Sequence, residues 1–147
     1  MSEVTNYEEF LNKHGTLTYT NVGTSMMPLL KQHRDLFTVK KKEKARCKVG
    51  DVVLYRRPPN QYVLHRVVAV RKKDYVILGD NCVNKEYGIT DSDIIGVMTG
   101  YVRRGRTHTV SDRSYRAYKA YILHTIPVRV LFKKVKLKMK RVIKRFI

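Results

Sequence analysis

Short runs rich in Val, Ile, Tyr and Thr occupy the sequence between Leu17 and Val102, and they constrain the fold more than any other feature. They read TLTYTNV, LFTVK, DVVLYRR, YVLHRVVAV, DYVILGD and IIGVMTGYV. β-Branched and aromatic residues favour strands, and none of these runs is longer than an ordinary strand. Linkers such as KKKEKARCKVG and RPPNQ carry the charge, Pro or Gly that is typical of hairpin turns. The pattern predicts a mainly antiparallel β-domain over residues 17–110.

The N-terminal segment, residues 1–16, has a helical pattern instead. Thr5 and Glu8 form a capping box, and Gly15 provides a stop. We therefore expect a short helix from Asn6 to His14.

The C-terminal segment is also helical in pattern, because its apolar residues after position 110 recur about every 3.6 residues. Pro127 can open a second helix there. The apolar residues of that helix are Val128, Leu131, Phe132, Val135, Met139, Val142 and Phe146. Leu137 departs from this spacing, and VKLKMK alternates as a strand would. The prediction is a basic helical extension over residues 111–147.

Length and cysteine content limit the possible classes of protein. A chain of 147 residues is long enough for one domain with a real core. Cys47 and Cys82 lie far apart without a CxxC spacing, which argues against a disulfide framework or a zinc site and favours a reducing compartment. The five histidines never fall at metal-ligand spacings. We expect no metal and no other cofactor.

Charge is concentrated in the C-terminal third of the chain. The formal net charge is +19, and residues 101–147 hold 15 Lys and Arg against one acidic residue, Asp112. A basic block of this kind attracts phosphate, either on an anionic membrane surface or on nucleic acid. It can also be a solvated face that keeps the protein soluble. No stretch reaches the ~18–20 apolar residues of a spanning helix, so we expect neither a transmembrane helix nor a signal peptide.

Three segments of the β region carry a family resemblance when they are read together. They are VGTSMMPLL (22–30), VGDVVLYRRPPNQYVLHRVVAV (49–70) and ILGDNCVNKEYGITDSDIIGVM (77–98). In this order and spacing they resemble the signal peptidase I family of serine peptidases, with its GxSMxP, GDVV, HRV and GDN boxes. The resemblance implies a coiled or barrel-like antiparallel β-domain and a serine endopeptidase.

The first box supplies the nucleophile that the resemblance implies, Ser25. A serine hydroxyl is a weak nucleophile and needs a base and oxyanion donors. Gly23 and Thr24 would let the backbone bend so that the Ser25 N–H and Oγ both face a substrate peptide. Met26 would form a wall of a shallow substrate pocket. Taken alone, this stretch is more typical of a simple turn.

The base that the resemblance implies is His65 in LHRVV, which is similar to the Ser/His branch of endoplasmic-reticulum and archaeal signal peptidases. An imidazole with a pKa near 6.5 can act as a base at neutral pH. Its orienting acid has two candidates. Asp80 matches the GDN aspartate, whereas Glu86 stands where this branch has a second aspartate, so we expect Asp80 to contribute more. Asp51 is interpreted as a turn residue.

Substrate and location follow from the same resemblance. The implied substrate binds as an added strand and carries small residues such as Ala at the first and third positions before the cut. Residues 127–147 are expected to place the protein peripherally on an anionic membrane, on the cytoplasmic face, with nucleic acid a weaker candidate partner. Two alternatives remain open: a self-cleaving repressor-type peptidase, and a non-catalytic binding module with a basic lipid- or nucleic-acid-binding tail.

Overall fold

The chain folds around a single eight-stranded sheet, as seen in a computed structural model that describes residues 7–146. The strands are β1 (Thr16–Thr20), β2 (Leu36–Lys41), β3 (Val52–Arg57), β4 (Gln61–Val70), β5 (Tyr75–Leu78), β6 (Glu86–Ile89), β7 (Ile94–Arg103) and β8 (Arg106–Thr109). The helices are α1 (Tyr7–His14), α2 (Arg113–His124) and α3 (Ile126–Phe146). The predicted mainly antiparallel β fold, with one short N-terminal helix and C-terminal helices, is confirmed.

All strand pairs are antiparallel, and the strand order is β1-β2-β7-β3-β4-β5-β6, with β8 also paired to β7. Within residues 7–146, β1 and β6 form opposite edges and do not pair with each other. The sheet is therefore open, and the barrel-like form of the prediction is wrong. Register shifts interrupt the pairing in β2, β3 and β4, and irregularities of this kind bend strands locally.

The central strand β3 is buried on both faces, which explains its unbroken apolar run. Val52 and Leu54 pack in one core cluster with residues of α1, β1, β2 and β7. Val53 and Tyr55 point the opposite way and pack in a second cluster with residues of β4 and β5. Alternation along a strand produces this division. The same alternation sends consecutive side chains of β4, such as His65 and Arg66, to opposite faces of the sheet.

The ends of the helices agree with local sequence signals. Helix α1 ends before Gly15, whose φ of +82° suits glycine and whose N–H donates to the Leu11 carbonyl (2.8 Å). The proposed Thr5 cap lies outside the described residues. Helix α2 begins after Asp112, and α3 begins at Ile126, next to Pro127. No helix within residues 7–146 is long and apolar enough to cross a membrane.

Two strands were not predicted, β6 with sequence EYGI and β8 with sequence RTHT. Both have four residues and few apolar side chains, and β6 contains Gly88 at a φ of +78°. Each contains strand-favouring residues but is too short to form a pattern by itself, and pairing with β5 and β7, respectively, holds it extended.

Candidate active site

Ser25 lies in a compact turn that follows β1. Gly23 adopts a φ of +84°, and its N–H donates to Gln32 Oε1 (2.9 Å), which fixes the entry to the turn. The Met27 N–H donates to the Thr24 carbonyl (3.2 Å), so the chain bends around Ser25. Ser25 is half-buried, and its N–H has no hydrogen-bond acceptor within residues 7–146. Both its hydroxyl and its N–H are available to a ligand.

Gly79 marks the place where the Ser25 turn meets His65. A Cβ at this position would lie 2.8 Å from the Ser25 carbonyl oxygen and 3.0 Å from His65 Cδ2. No side chain other than hydrogen fits between them. The glycine of the GDN box therefore allows the turn and the imidazole to come together. This is a steric reason for having glycine at position 79.

Asn81 holds the turn from the other side. Its N–H donates to the Ser25 carbonyl (2.8 Å), and its Nδ2 donates to the Thr24 carbonyl (3.0 Å). Helix α3 is attached at the same place, because Lys133 Nζ donates to the Asn81 carbonyl (2.7 Å) and to its side-chain oxygen. The position of the Ser25 turn thus depends on Asn81 and, through it, on α3.

His65 belongs to a group of side chains that we name the cleft network: Tyr55, Arg57, His65 and Glu86. The Tyr55 hydroxyl donates to Glu86 Oε1 (2.7 Å) and lies 3.2 Å from His65 Nδ1. Because a phenol has one proton, its oxygen accepts from Nδ1–H on the His65 side. This arrangement favours the tautomer whose Nε2 carries the free lone pair. Glu86 Oε1 itself lies 3.8 Å from Nδ1.

Burial dominates the electrostatics of this imidazole. It lowers the pKa of His65 to about 4, with Arg57 acting in the same direction and the carboxylates of Glu86 and Asp80 opposing it. Arg57 binds Glu86 through both carboxylate oxygens and, with Tyr55, keeps the pKa of Glu86 below its usual value. At neutral pH His65 is therefore an uncharged base beside an ionised, fully bonded carboxylate.

Asp80 belongs to a different group, which we name the buried network: Arg66, Asp80, Tyr115 and Tyr118. Arg66 binds both Asp80 oxygens (2.7 and 2.8 Å), and the two side chains are completely buried. Tyr118 donates to Asp80 Oδ2 (2.8 Å), while Arg66 also donates to the Gly50 carbonyl (2.9 Å). Asp80 is thus fully engaged with the arginine of the HRV box. The carboxylate that lies beside His65 is Glu86; the expectation that Asp80 contributes more to activity stays a prediction.

The other residues that the sequence singled out differ in burial and in their contacts. Thr24 is exposed and Gly23 half-buried beside Ser25. Met26 is fully buried and packs in the first core cluster, so the prediction that it forms a pocket wall is corrected. The turn directs its side chain inward while Ser25 faces outward. Asp51 accepts from the Lys48 N–H (2.8 Å), which confirms its interpretation as a turn residue.

Ser25, His65 and Glu86 line one open cleft of about 1090 Å³. Its walls come from the end of β1, the start of β4, residues 81–86 and the cleft-facing side of α3. Within residues 7–146 no hydrogen bond joins Ser25 to His65, although both line the same cleft. Cys82 also lines the cleft, but burial raises the pKa of its thiol, which leaves it protonated and a poor nucleophile. No group of three or more His, Cys, Asp or Glu residues in this range could hold a metal ion.

Sequence reasoning missed Tyr55 and Arg57. Their i, i+2 spacing in DVVLYRR places both on one face of β3, and this signal was readable. The sequence does not reveal that Tyr55 and Arg57 lie near His65, because this proximity depends on the β3–β4 register. In that register Val53 pairs with His65, and Tyr55 is the diagonal neighbour of His65.

Comparison with protein-family models finds no match to this chain, and comparisons with curated proteins and with solved structures find none either. The signal peptidase resemblance therefore rests on the sequence boxes themselves, and the function that they imply is a proposal.

Proposed function

We propose that the protein is a serine endopeptidase of signal-peptidase type that cleaves an extended peptide after small residues. The observation that carries the proposal is the arrangement at one cleft of an accessible Ser25 and an uncharged His65 whose Nδ1 is occupied by Tyr55. A serine nucleophile needs a neutral base with a free nitrogen, and His65 Nε2 meets that requirement.

In the proposed reaction, His65 Nε2 takes the proton of Ser25 Oγ as that oxygen attacks the scissile carbonyl. The unpaired Ser25 N–H is a donor for the resulting oxyanion. The imidazolium then gives its proton to the leaving amine, while the Glu86 carboxylate, reached through Tyr55, offsets the positive charge. Water attacks the acyl-enzyme in the second half. The gap between Ser25 and His65 would close when substrate binds, as catalytic hydrogen bonds often do.

The substrate peptide would lie as an extended strand beside the Ser25 turn. Peptides with Ala at the first and third positions before the cut are expected to be preferred, because the family resemblance implies a substrate with small residues there. Equal cleavage of peptides with Phe or Lys at these positions would contradict this specificity.

A fluorophosphonate probe tests the proposal, since only an activated serine reacts with it. Wild-type protein should be labelled at Ser25, whereas Ser25→Ala and His65→Ala should not be labelled. Ser114→Ala, which removes an exposed serine of α2, is the matched control and should behave as wild type. Absence of labelling in folded wild-type protein would reject the enzymatic function.

A non-catalytic binding module is the second candidate, and the missing hydrogen bond between Ser25 and His65 favours it. In that case the cleft binds a peptide without cutting it, and the probe leaves Ser25 unlabelled. A self-cleaving repressor would instead show cleavage of its own chain, which mass spectrometry of purified wild type and Ser25→Ala separates.

We also propose that α3 binds the surface of an anionic membrane, which would place the protein at a cytoplasmic leaflet. Seven apolar residues form its exposed stripe: Val128, Leu131, Phe132, Val135, Met139, Val142 and Phe146. The helix contains nine Lys and Arg and no acidic residue. An exposed apolar stripe flanked by cations suits a bilayer interface, where each basic residue contributes about 1 kcal/mol near acidic lipid. DNA offers phosphate but nothing to cover the stripe.

Flotation with liposomes tests this location. Wild type should float with vesicles that contain phosphatidylserine. With neutral vesicles it should remain unbound in the lower fraction. Phe132→Ser, at a side chain that is 69% exposed, should weaken flotation, whereas Tyr87→Ser, on an exposed site of β6, is the matched control. Equal binding by Phe132→Ser, or tighter binding of duplex DNA than of vesicles at the same salt, would contradict the membrane proposal.

A further inference from the structure

Helix α3 presents different side chains to the cleft and to solvent. Lys133, Lys136 and Lys140 line the cleft together with Ser25. Their spacing of three and four residues puts them on one side of a helix with about 3.6 residues per turn. None of the seven residues of the exposed stripe lines the cleft, although Leu137, another exposed apolar residue of α3, lines it beside the lysines. The lysines therefore face whatever occupies the cleft, and the stripe faces away from it.

The cleft has an excess of positive charge that the protein does not neutralise. Its only carboxylate among the described lining residues is Glu86, and this group is already bound by Arg57 and Tyr55. Lys85, Lys136 and Lys140 are exposed at the cleft and have no carboxylate partner within residues 7–146.

Lys133 differs from the other two lysines of this wall. Burial is the main cause that lowers the pKa of its ammonium; Cys82 opposes this shift, whereas the charges of Arg129 and Lys136 add to it. Lys133 donates hydrogen bonds to Asn81 and so supports the Ser25 turn. Neither Lys136 nor Lys140 makes such a hydrogen bond to the turn within residues 7–146. Cations that converge on a cleft without internal partners are suited to an anionic ligand.

We propose that the cleft selects extended peptides that carry Asp or Glu beside the small residues, and that Lys136 and Lys140 are specificity-determining residues. This inference rests on the proposed function because it assigns a substrate class to the same site. The acidic side chains would lie against the α3 wall while the backbone lies beside the Ser25 turn. Each such pair is solvent-accessible, so the selectivity should be graded and sensitive to salt.

Peptide binding by full-length Ser25→Ala protein tests the inference without turnover. Three fluorescein-labelled peptides share Ala at the first and third positions and differ only in their flanks, which are Asp, Asn or Lys. The Asp peptide should bind about threefold to tenfold more tightly than the Asn peptide, and the Lys peptide most weakly. The difference should shrink at high salt.

A charge reversal makes the test specific to the cleft wall. In the Ser25→Ala background, K136E/K140E should reverse the order so that the Lys peptide binds best. K134E/K138E is the matched control, because it makes the same change of charge on the same helix at positions that do not line the cleft. It should keep the preference for the Asp peptide.

Three results would overturn the inference: equal binding of the three peptides, no binding of any peptide, or equal loss of preference in the two double variants. The last would mean that the overall charge of α3, and not the cleft wall, attracts acidic peptides. Failure of the proposed function gives a different pattern. Fluorophosphonate would then leave wild type unlabelled while the Asp peptide still binds best, and the preference would belong to a binding module.

Discussion

The cleft network and the buried network lie on opposite faces of the same strand and illustrate two uses of a carboxylate. His65 and Arg66 are consecutive in β4, so their side chains point to opposite faces. On one face Glu86, with 26% of its side chain exposed, lies beside an uncharged imidazole at an open cleft. On the other face Asp80 is completely buried against Arg66.

The Arg66–Asp80 pair has no solvent access and connects parts of the fold, whereas the partly exposed Glu86 lies where a ligand in the cleft can approach. Arg66 is held by Asp80, Gly50 and Tyr115 (2.9 Å), which joins β4 to the loop after β5, to the turn before β3 and to α2. Glu86 reaches His65 mainly through one hydroxyl, that of Tyr55. Variants on the two faces should therefore fail in different ways.

The largest expected effect concerns activity on the cleft face. In the proposed mechanism Ser25→Ala and His65→Ala remove the nucleophile and its base, so each should lower kcat/KM on an Ala-containing peptide by about 10⁴-fold or more. Circular dichroism should show that both variants remain folded. Normal cleavage by His65→Ala would contradict the proposal that His65 on the cleft face is the catalytic base.

The next effect concerns stability on the buried face. Asp80→Ala should lower the free energy of unfolding by about 3–5 kcal/mol, because it leaves a buried, unpaired Arg66. Glu86→Ala is the matched comparison and should cost only about 1 kcal/mol, since its surroundings are partly solvated. Urea unfolding measures both. Similar losses in the two variants would remove the distinction between the networks.

A smaller effect should appear in the pH dependence of kcat/KM. In the proposed mechanism the rate requires uncharged His65, so its acid limb should lie near pH 4 and well below 6.5. Glu86 raises the pKa of His65 and Arg57 lowers it. Glu86→Gln should therefore move the limb to lower pH, and Arg57→Gln to higher pH. A wild-type limb near 6.5, or shifts in the same direction, would contradict this electrostatic description.

The smallest effect is expected for Tyr55→Phe. The variant loses the hydroxyl between His65 and Glu86 but keeps the ring that packs in the second core cluster. We expect about a tenfold fall in kcat, with little change in KM, because the free His65 nitrogen is no longer specified by its partner. The matched control is Tyr62→Phe, which loses a hydroxyl bonded to Glu8 at the rim of the cleft. Equal effects of the two variants would show that Tyr55 has no special role.

Much of the fold followed from local sequence. The strands β1 to β5 and β7 were predicted because β-branched and aromatic runs carry their own preference. The strands β6 and β8 were missed because each is only four residues long, too short for a recognisable pattern, and pairing with a neighbour holds it extended. The barrel-like alternative was wrong, because closure depends on which edges meet, and β1 and β6 remain separate edges among the described residues.

The sequence by itself determined the Ser25 turn, the position of His65 in a strand and the amphipathic character of α3, because each depends on residues close together in the chain. Tertiary structure alone decided which carboxylate lies beside His65, since Asp80 and Glu86 occur in similar polar stretches and differ only in what the sheet brings to them. It also turned Met26 inward and placed lysines of α3 along the cleft. The physical reason is that backbone geometry sets a side chain's direction locally, whereas its partner depends on strand register and on packing between distant segments.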